Sequence, residues 1–218
     1  VTTLNSMFKN ASLFNQDISS WDVSSASDLE GLFWGANVFD QDIDAWDTSN
    51  VTNMESVFEN AVAFNHTLTN WDTSKVINMR AMFEGASAFN QNIDAWDTSS
   101  VTLMLRMFED ANSFNQPIGS WTTTNVTDMK QMFQNATSFN QDISGWNLEN
   151  VTDTSNMFKG ASSFDQEVGL WDVSSVTNLA GMFENATVFN NASNPSINTW
   201  ITSSVTRMDR LFNNADAF

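Results

Sequence analysis

The chain is nine rounds of one 25-residue sentence, and that period constrains it more than any other feature. The copies begin at Val1, Ala26, Val51, Val76, Val101, Val126, Val151, Val176 and Val205, with four extra residues in the eighth. The copy Val76 to Ser100, VINMRAMFEGASAFNQNIDAWDTSS, is representative. A unit this short cannot bury its own apolar face and must stack on its neighbours, so a fixed period of this size predicts a solenoid. Positions within a copy are called places 1 to 25 below.

Four places are nearly invariant. Place 8 is Phe in all nine copies, from Phe8 to Phe212, place 14 is Phe from Phe14 to Phe218, and these two columns account for all 18 Phe. Place 11 is always Ala, and place 21 is Trp in each of the eight copies that reach it. Columns of this kind mean that a side chain rests on its counterpart in the next coil. The interior is then a row of stacked Phe, Trp and Met rather than one compact centre.

Places 1, 4, 7, 8 and 11 are apolar, in the third copy Val51, Met54, Val57, Phe58 and Ala61, and spacings of three and four predict one face of a short helix. Thr or Ser at place 2, as in Thr52 and Thr102, reads as its N-cap, with Glu30 and Glu55 closing capping boxes on Ser27 and Thr52. Place 10 is only Asn, Gly or Asp, residues that accept the left-handed conformation expected after a helix. A lone aliphatic residue at place 18, for example Ile43 or Leu68, predicts a strand of about three residues, one per coil, forming a parallel sheet. Trp-Asp-Thr-Ser then turns the chain into the next copy. The expected class is therefore α/β, about nine coils of one short helix and one short parallel strand, in a single domain over residues 1 to 218.

A net charge of −18 argues against a nucleic-acid partner, which needs clustered Lys and Arg. No apolar run approaches the roughly 18 residues of a membrane span. Cysteine is absent, which removes a disulfide framework. The chain begins at place 1 and stops at place 14 without a signal peptide or a polar capping repeat, so it is expected to be a fragment of something longer, or a subunit whose ends meet other protein.

The phrase Asn50-Val51-Thr52-Asn53-Met54 with Phe58 and Ala61, the recurring Phe-Asn-Gln-Asp-Ile-Ser at residues 14 to 19 and 139 to 144, and the Trp-Asp-Thr-Ser turns resemble the BspA-like leucine-rich-repeat surface proteins, in particular a 25-residue branch of bacterial surface lipoproteins without a known function. The resemblance covers essentially the whole chain. It implies a right-handed β-α superhelix of leucine-rich-repeat type, location at the cell surface or outside the cell, and adhesion through protein or glycan contacts. It carries no catalytic residues over. Met, Phe and Trp stand where that family's leucines are usual.

Candidate contact residues follow from breaks in the pattern. Trp34 occupies place 9, where the other copies have Lys, Glu, Gln or Asn, and is expected to face outward, as a contact residue or equally as cover for a neighbouring domain. Ile77 at place 2 and Leu103 and Leu105 at places 3 and 5 of the next copy replace polar residues, and stacking would gather them into an apolar patch, the first choice for an interface. The Trp column reads as core rather than as a sugar platform, because it recurs in every copy. Acidic columns at place 22 (Asp22, Asp47, Asp72, Asp97, Asp172), place 17 and place 9 (Glu59, Glu84, Glu109) suggest at most weak surface calcium binding, with turn formation the simpler role at place 22. No cofactor is expected. Thr at places 2 and 23 suggests an ice-binding ladder as a lesser alternative. His66 stands in a column of Gln and is expected to do what Gln does there. With no Cys, no nucleophile with its base and no phosphate loop, an enzyme is not expected. Eight Asn-x-Ser/Thr sequons are no more than this composition produces by chance.

Overall fold

The computed structural model describes residues 1–218, and it confirms the stacking while overturning the helix and the strand. Phe83 lies 5.5 Å from Phe58 and 5.6 Å from Phe108, ring centre to ring centre, with interplanar angles of 7° and 6°. The place-14 column runs beside it, Phe89 sitting 6.1 Å from Phe64 and 6.0 Å from Phe114. Within a coil the two Phe stack face to face, 4.0 Å apart for Phe83 and Phe89. Trp96 adds a third ring 6.2 Å from Phe83. All of these rings are buried.

No helix spans places 1 to 11 in any coil. The helical segments are two short 3-10 turns, Asn191–Ser193 and Pro195–Thr199, both beside the four-residue insertion. No strand forms at place 18 either. The sheet reduces to single-residue parallel bridges at place 3, running Thr3, Asp28, Asn53, Asn78, Leu103, Asp128, Asp153, Asn178, Arg207. The α/β class and the β-α superhelix of leucine-rich-repeat type are therefore corrected: each coil is a run of tight turns, tied to the next coil by its backbone.

The hydrogen bonds explain why a helical pattern gives no helix. Amides at places 4, 6, 8 and 10 donate to carbonyls of the following coil, as in Met79 to Leu103 (3.0 Å), Ala81 to Leu105 (2.9 Å), Phe83 to Met107 (2.9 Å) and Gly85 to Glu109 (2.7 Å). Amides at places 7, 9 and 11 turn back three residues inside the coil, as in Met82 to Met79, Glu84 to Ala81 and Ala86 to Phe83. Places 6 and 10 have positive φ throughout, for example Ala81 at 52°, Arg106 at 59° and Asp110 at 58°. The left-handed residue lies third in the turns that start at places 4 and 8, the geometry of a type II turn. Alternate amides thus point along the stack and across it, which a continuous right-handed helix cannot do. Spacings of three and four in the apolar residues suit these consecutive turns as well as they suit a helix.

The supposed cap residues also work between coils. Thr52 Oγ1 donates to Ser27 O (3.2 Å), and Glu55 Oε2 accepts from Asn78 Nδ2 (2.9 Å), so neither closes a capping box. At place 15 an Asx side chain accepts the amide of the next coil's counterpart, as Asn90 Oδ1 does from Asn115 N (3.0 Å), and the adjoining Gln116 Nε2 shares that acceptor (3.0 Å). Trp96 Nε1 donates to Leu68 O (3.0 Å), and buried Thr98 Oγ1 donates to Thr122 O (3.0 Å). These polar groups inside the stack are satisfied by the neighbouring coil, as burial demands.

Place 10 carries a testable cost. Gly85 has φ 68°, and a Cβ there would run into Asn60 Oδ1 of the coil below. Gly85→Ala is expected to destabilise by about 1–2 kcal/mol, since left-handed backbone alone disfavours Ala by that order. Urea unfolding measures it, and an unchanged midpoint would contradict the left-handed assignment.

Candidate functional site

The outer surface of places 3, 5, 6 and 9 forms one long face of variable residues, and the candidate contact residues sort along it. The bridge at place 3 positions Leu103 between Asn78 and Asp128. Leu103 and Leu105 are half-buried, whereas Ile77, whose carbonyl accepts the Thr102 amide one coil on, is 50% exposed. The three lie on adjacent coils, but only Ile77 stands clear of the surface. Trp34 is half-buried rather than turned outward, and Lys9 Nζ sits 3.5 Å over its ring. That geometry is a cation–π contact between the first two coils.

Beside Trp34 a shallow hollow is lined by Glu55, Glu59, Glu84, Arg80 and Arg106. Burial raises the Glu59 carboxyl above its ordinary value. Glu84 is pushed up to about 7, first by burial and then by Glu59 and Glu109 on either side. Glu109 is 7% exposed and is raised by the same burial, against the pull of Arg106. Its Oε1 accepts from Gln131 Nε2 (3.2 Å) and Gln134 Nε2 (2.6 Å), while Oε2 has only Arg106 Nε at 3.5 Å. Arg106 also reaches Glu84 Oε1 at 3.8 Å. One guanidinium therefore serves two carboxylates, and Glu84, pushed up to about 7, relieves the column's repulsion by holding a proton near neutral pH.

The other columns are structural. Asp22, Asp47, Asp72, Asp97 and Asp172 each accept from the amide two residues on, as Asp72 Oδ1 does from Ser74 N (2.9 Å), and the Ser74 hydroxyl adds a second bond (2.7 Å). These bonds hold the place-22 carboxyls below their ordinary range. Trp46, Trp71, Trp96, Trp121, Trp146 and Trp171 are 2–4% exposed with their indole N–H groups bonded inside, so they offer no platform for a sugar. Thr48, Thr73, Thr98 and Thr123 at place 23 are buried, which removes them from any ice-facing ladder. His66 Nε2 approaches Asp40 Oδ1 at 3.7 Å, on the preceding coil's place-15 side chain that Gln side chains bond elsewhere in the column.

Sequence reasoning missed a second hollow on the same face, over coils six to nine, lined among others by Lys130, Lys159, Arg207 and Arg210. The signal was present in the scarcity of cations, four of the eight Lys and Arg falling in the last 90 residues at outer places.

No curated protein and no solved structure matches this chain. A family model described as "Mycoplasma protein of unknown function, DUF285" matches over residues 1–76, 64–168 and 143–218, three overlapping runs that together cover every coil. The matches span the whole chain, and this chain belongs to the DUF285 family.

Proposed function

We propose that the chain is a non-enzymatic repeat scaffold displayed at the cell surface, which presents its variable outer places to a protein or glycan on a neighbouring cell or in the same assembly. The observation that carries this reading is the division of labour among the places. The invariant ones are spent on joining coils, through Phe rings, indole N–H groups and the Asx ladder, while places 3, 5 and 9 change from coil to coil without disturbing those joints. A surface held rigidly at a fixed repeat, with substitution free on one side, suits display and contact more than chemistry at one point. The finer identification as a BspA-like surface protein rests on the phrases around Val51 to Ala61 and on the Phe-Asn-Gln-Asp-Ile-Ser runs, and it supports adhesion.

Within this reading the contact patch is Ile77 with Leu103 and Leu105. Their replacement of polar residues occurs in the middle of the stack, where the face is otherwise charged. Beads coated with the 218-residue chain are expected to adhere to surfaces bearing cell-surface proteins or glycans more strongly than albumin-coated beads. Leu103→Asp with Leu105→Asp should reduce that adhesion by roughly tenfold while leaving the melting temperature within a few degrees. Adhesion no better than albumin across the panel would contradict the scaffold reading; adhesion unchanged in the double variant would remove the patch from it.

A further inference from the structure

The chain has 8 Lys and Arg against 26 Asp and Glu, so any gathering of cations on it runs against composition. Yet Lys130, Lys159, Arg207 and Arg210 line one hollow of about 220 Å³. Ala180 and Gly181, both buried, are its smallest lining residues. They occupy places 5 and 6 of the eighth coil, where the fourth to sixth coils carry Arg80-Ala81, Leu105-Arg106 and Lys130-Gln131. Gly181 has φ 63°, and a Cβ on it would strike Asn156 Oδ1, so a larger residue is disfavoured there.

The cations are only partly neutralised. Glu184, buried at 8% exposure, takes Lys159 Nζ at 2.9 Å and Arg210 Nη1 at 4.0 Å. Asp209 takes the guanidinium of Arg207, two residues away, at 3.2 Å. Lys130 has no carboxylate within ion-pair distance. Among the residues that line the hollow, two carboxylates thus stand against four cations. The Arg207 and Arg210 side chains, 60% and 68% exposed, are free to turn onto a guest.

We infer that this hollow binds a tetrahedral oxyanion, a phosphate or sulfate group carried on a larger molecule or free in solution. A doubly charged group matches the surplus of two cations. Two guanidinium forks offer paired N–H donors to its oxygens, and the lysines supply point charge at the rim. The same face on the third and fourth coils carries Glu55, Glu59 and Glu84, so an anionic ligand is repelled there and directed to the later coils. This inference stands whether or not the chain acts as an adhesive scaffold.

The experiment is an amide NMR titration of the whole chain at low salt, with inorganic phosphate in one series and a sulfated oligosaccharide in another. Saturable shifts confined to coils six to nine are expected with at least one probe. Arg207→Ala with Arg210→Ala should weaken binding roughly tenfold or more, a loss ordinary for removed charge-assisted contacts, whereas Lys75→Ala should not. Inorganic phosphate binding as tightly as the oligosaccharide would identify a free anion as the source, and tighter oligosaccharide binding a glycan. Should the double variant lose its native spectrum, Ala180→Asp, which places a carboxylate in the hollow, must abolish the shifts instead. No saturable shift with either probe, shifts spread over all coils, or binding unchanged in a folded variant would overturn the assignment.

Discussion

Replacing Phe108 with Ala is expected to cost about 3–5 kcal/mol, the range for a buried aromatic truncated in a core that cannot collapse around the loss. Phe108 is fully buried. Its ring lies 4.0 Å from Phe114, 5.6 Å from both Phe83 and Phe133, and 6.2 Å from Trp121, so it is shared between its own coil and both neighbours. Stacked pairs contribute about 0.5–1.5 kcal/mol beyond area burial, and one truncation here removes several. Phe108 also sits between two backbone bonds, Phe108 N to Met132 O and Phe83 N to Met107 O, which hold the coils at the spacing the rings require and resist collapse into the void. Phe8, at the first coil and only half-buried, has one neighbouring coil and should lose clearly less on the same substitution. Chemical denaturation of both variants checks this, and equal losses would deny that stability passes from coil to coil.

Acidification from pH 8 to about 5 is expected to stabilise the protein. Glu84 has its folded pKa raised to about 7 from an ordinary 4.5, by burial first and then by Glu59 and Glu109. Between those values the folded chain binds more protons than the unfolded one, so stability falls as pH rises through this window. Above 7 the whole penalty is present; below 4.5 both states are protonated and it is gone. The change attributable to Glu84 is roughly 2–3 kcal/mol, with Glu59 and Glu109 adding in the same direction. The place-22 aspartates act oppositely. Their folded pKa values are lowered by their own serines, so they favour the fold above 3.8 and lose that contribution as pH falls further. A thermal stability maximum near pH 5 follows. Glu84→Gln should raise the melting temperature at pH 8 and flatten the slope between pH 5 and 8. A slope unchanged by that substitution would place the titrating groups elsewhere.

The period, the aromatic columns and the stacking were legible because they are written in side chains that recur. Place 10 was legible too, since Asn, Gly and Asp mark left-handed backbone, and all nine of these residues have positive φ. Place 6 was not: it holds Ser6, Gly31, Ser56, Ala81, Arg106, Gln131, Asn156, Gly181 and Arg210, of which only the glycines and Asn156 favour that conformation. Without it, apolar spacings of three and four read as a helix, and Thr52 and Glu55 read as its cap when both reach other coils. The outer face was harder still. Trp34 broke the column rule, but that Lys9 lies on its ring depends on the register between coils. The cationic hollow brings together residues from four different copies, the small Ala180 and Gly181 among them, a relation visible only once those copies are stacked.

Scalar couplings across hydrogen bonds, measured by NMR on the labelled chain, would observe the backbone pattern itself. Coils built of turns require the Phe83 amide nitrogen to couple to the Met107 carbonyl carbon, 2.9 Å away as N to O in the next coil. Coupling of Phe83 to Met79, the partner four residues back that a helix would supply, would contradict the stack of turns.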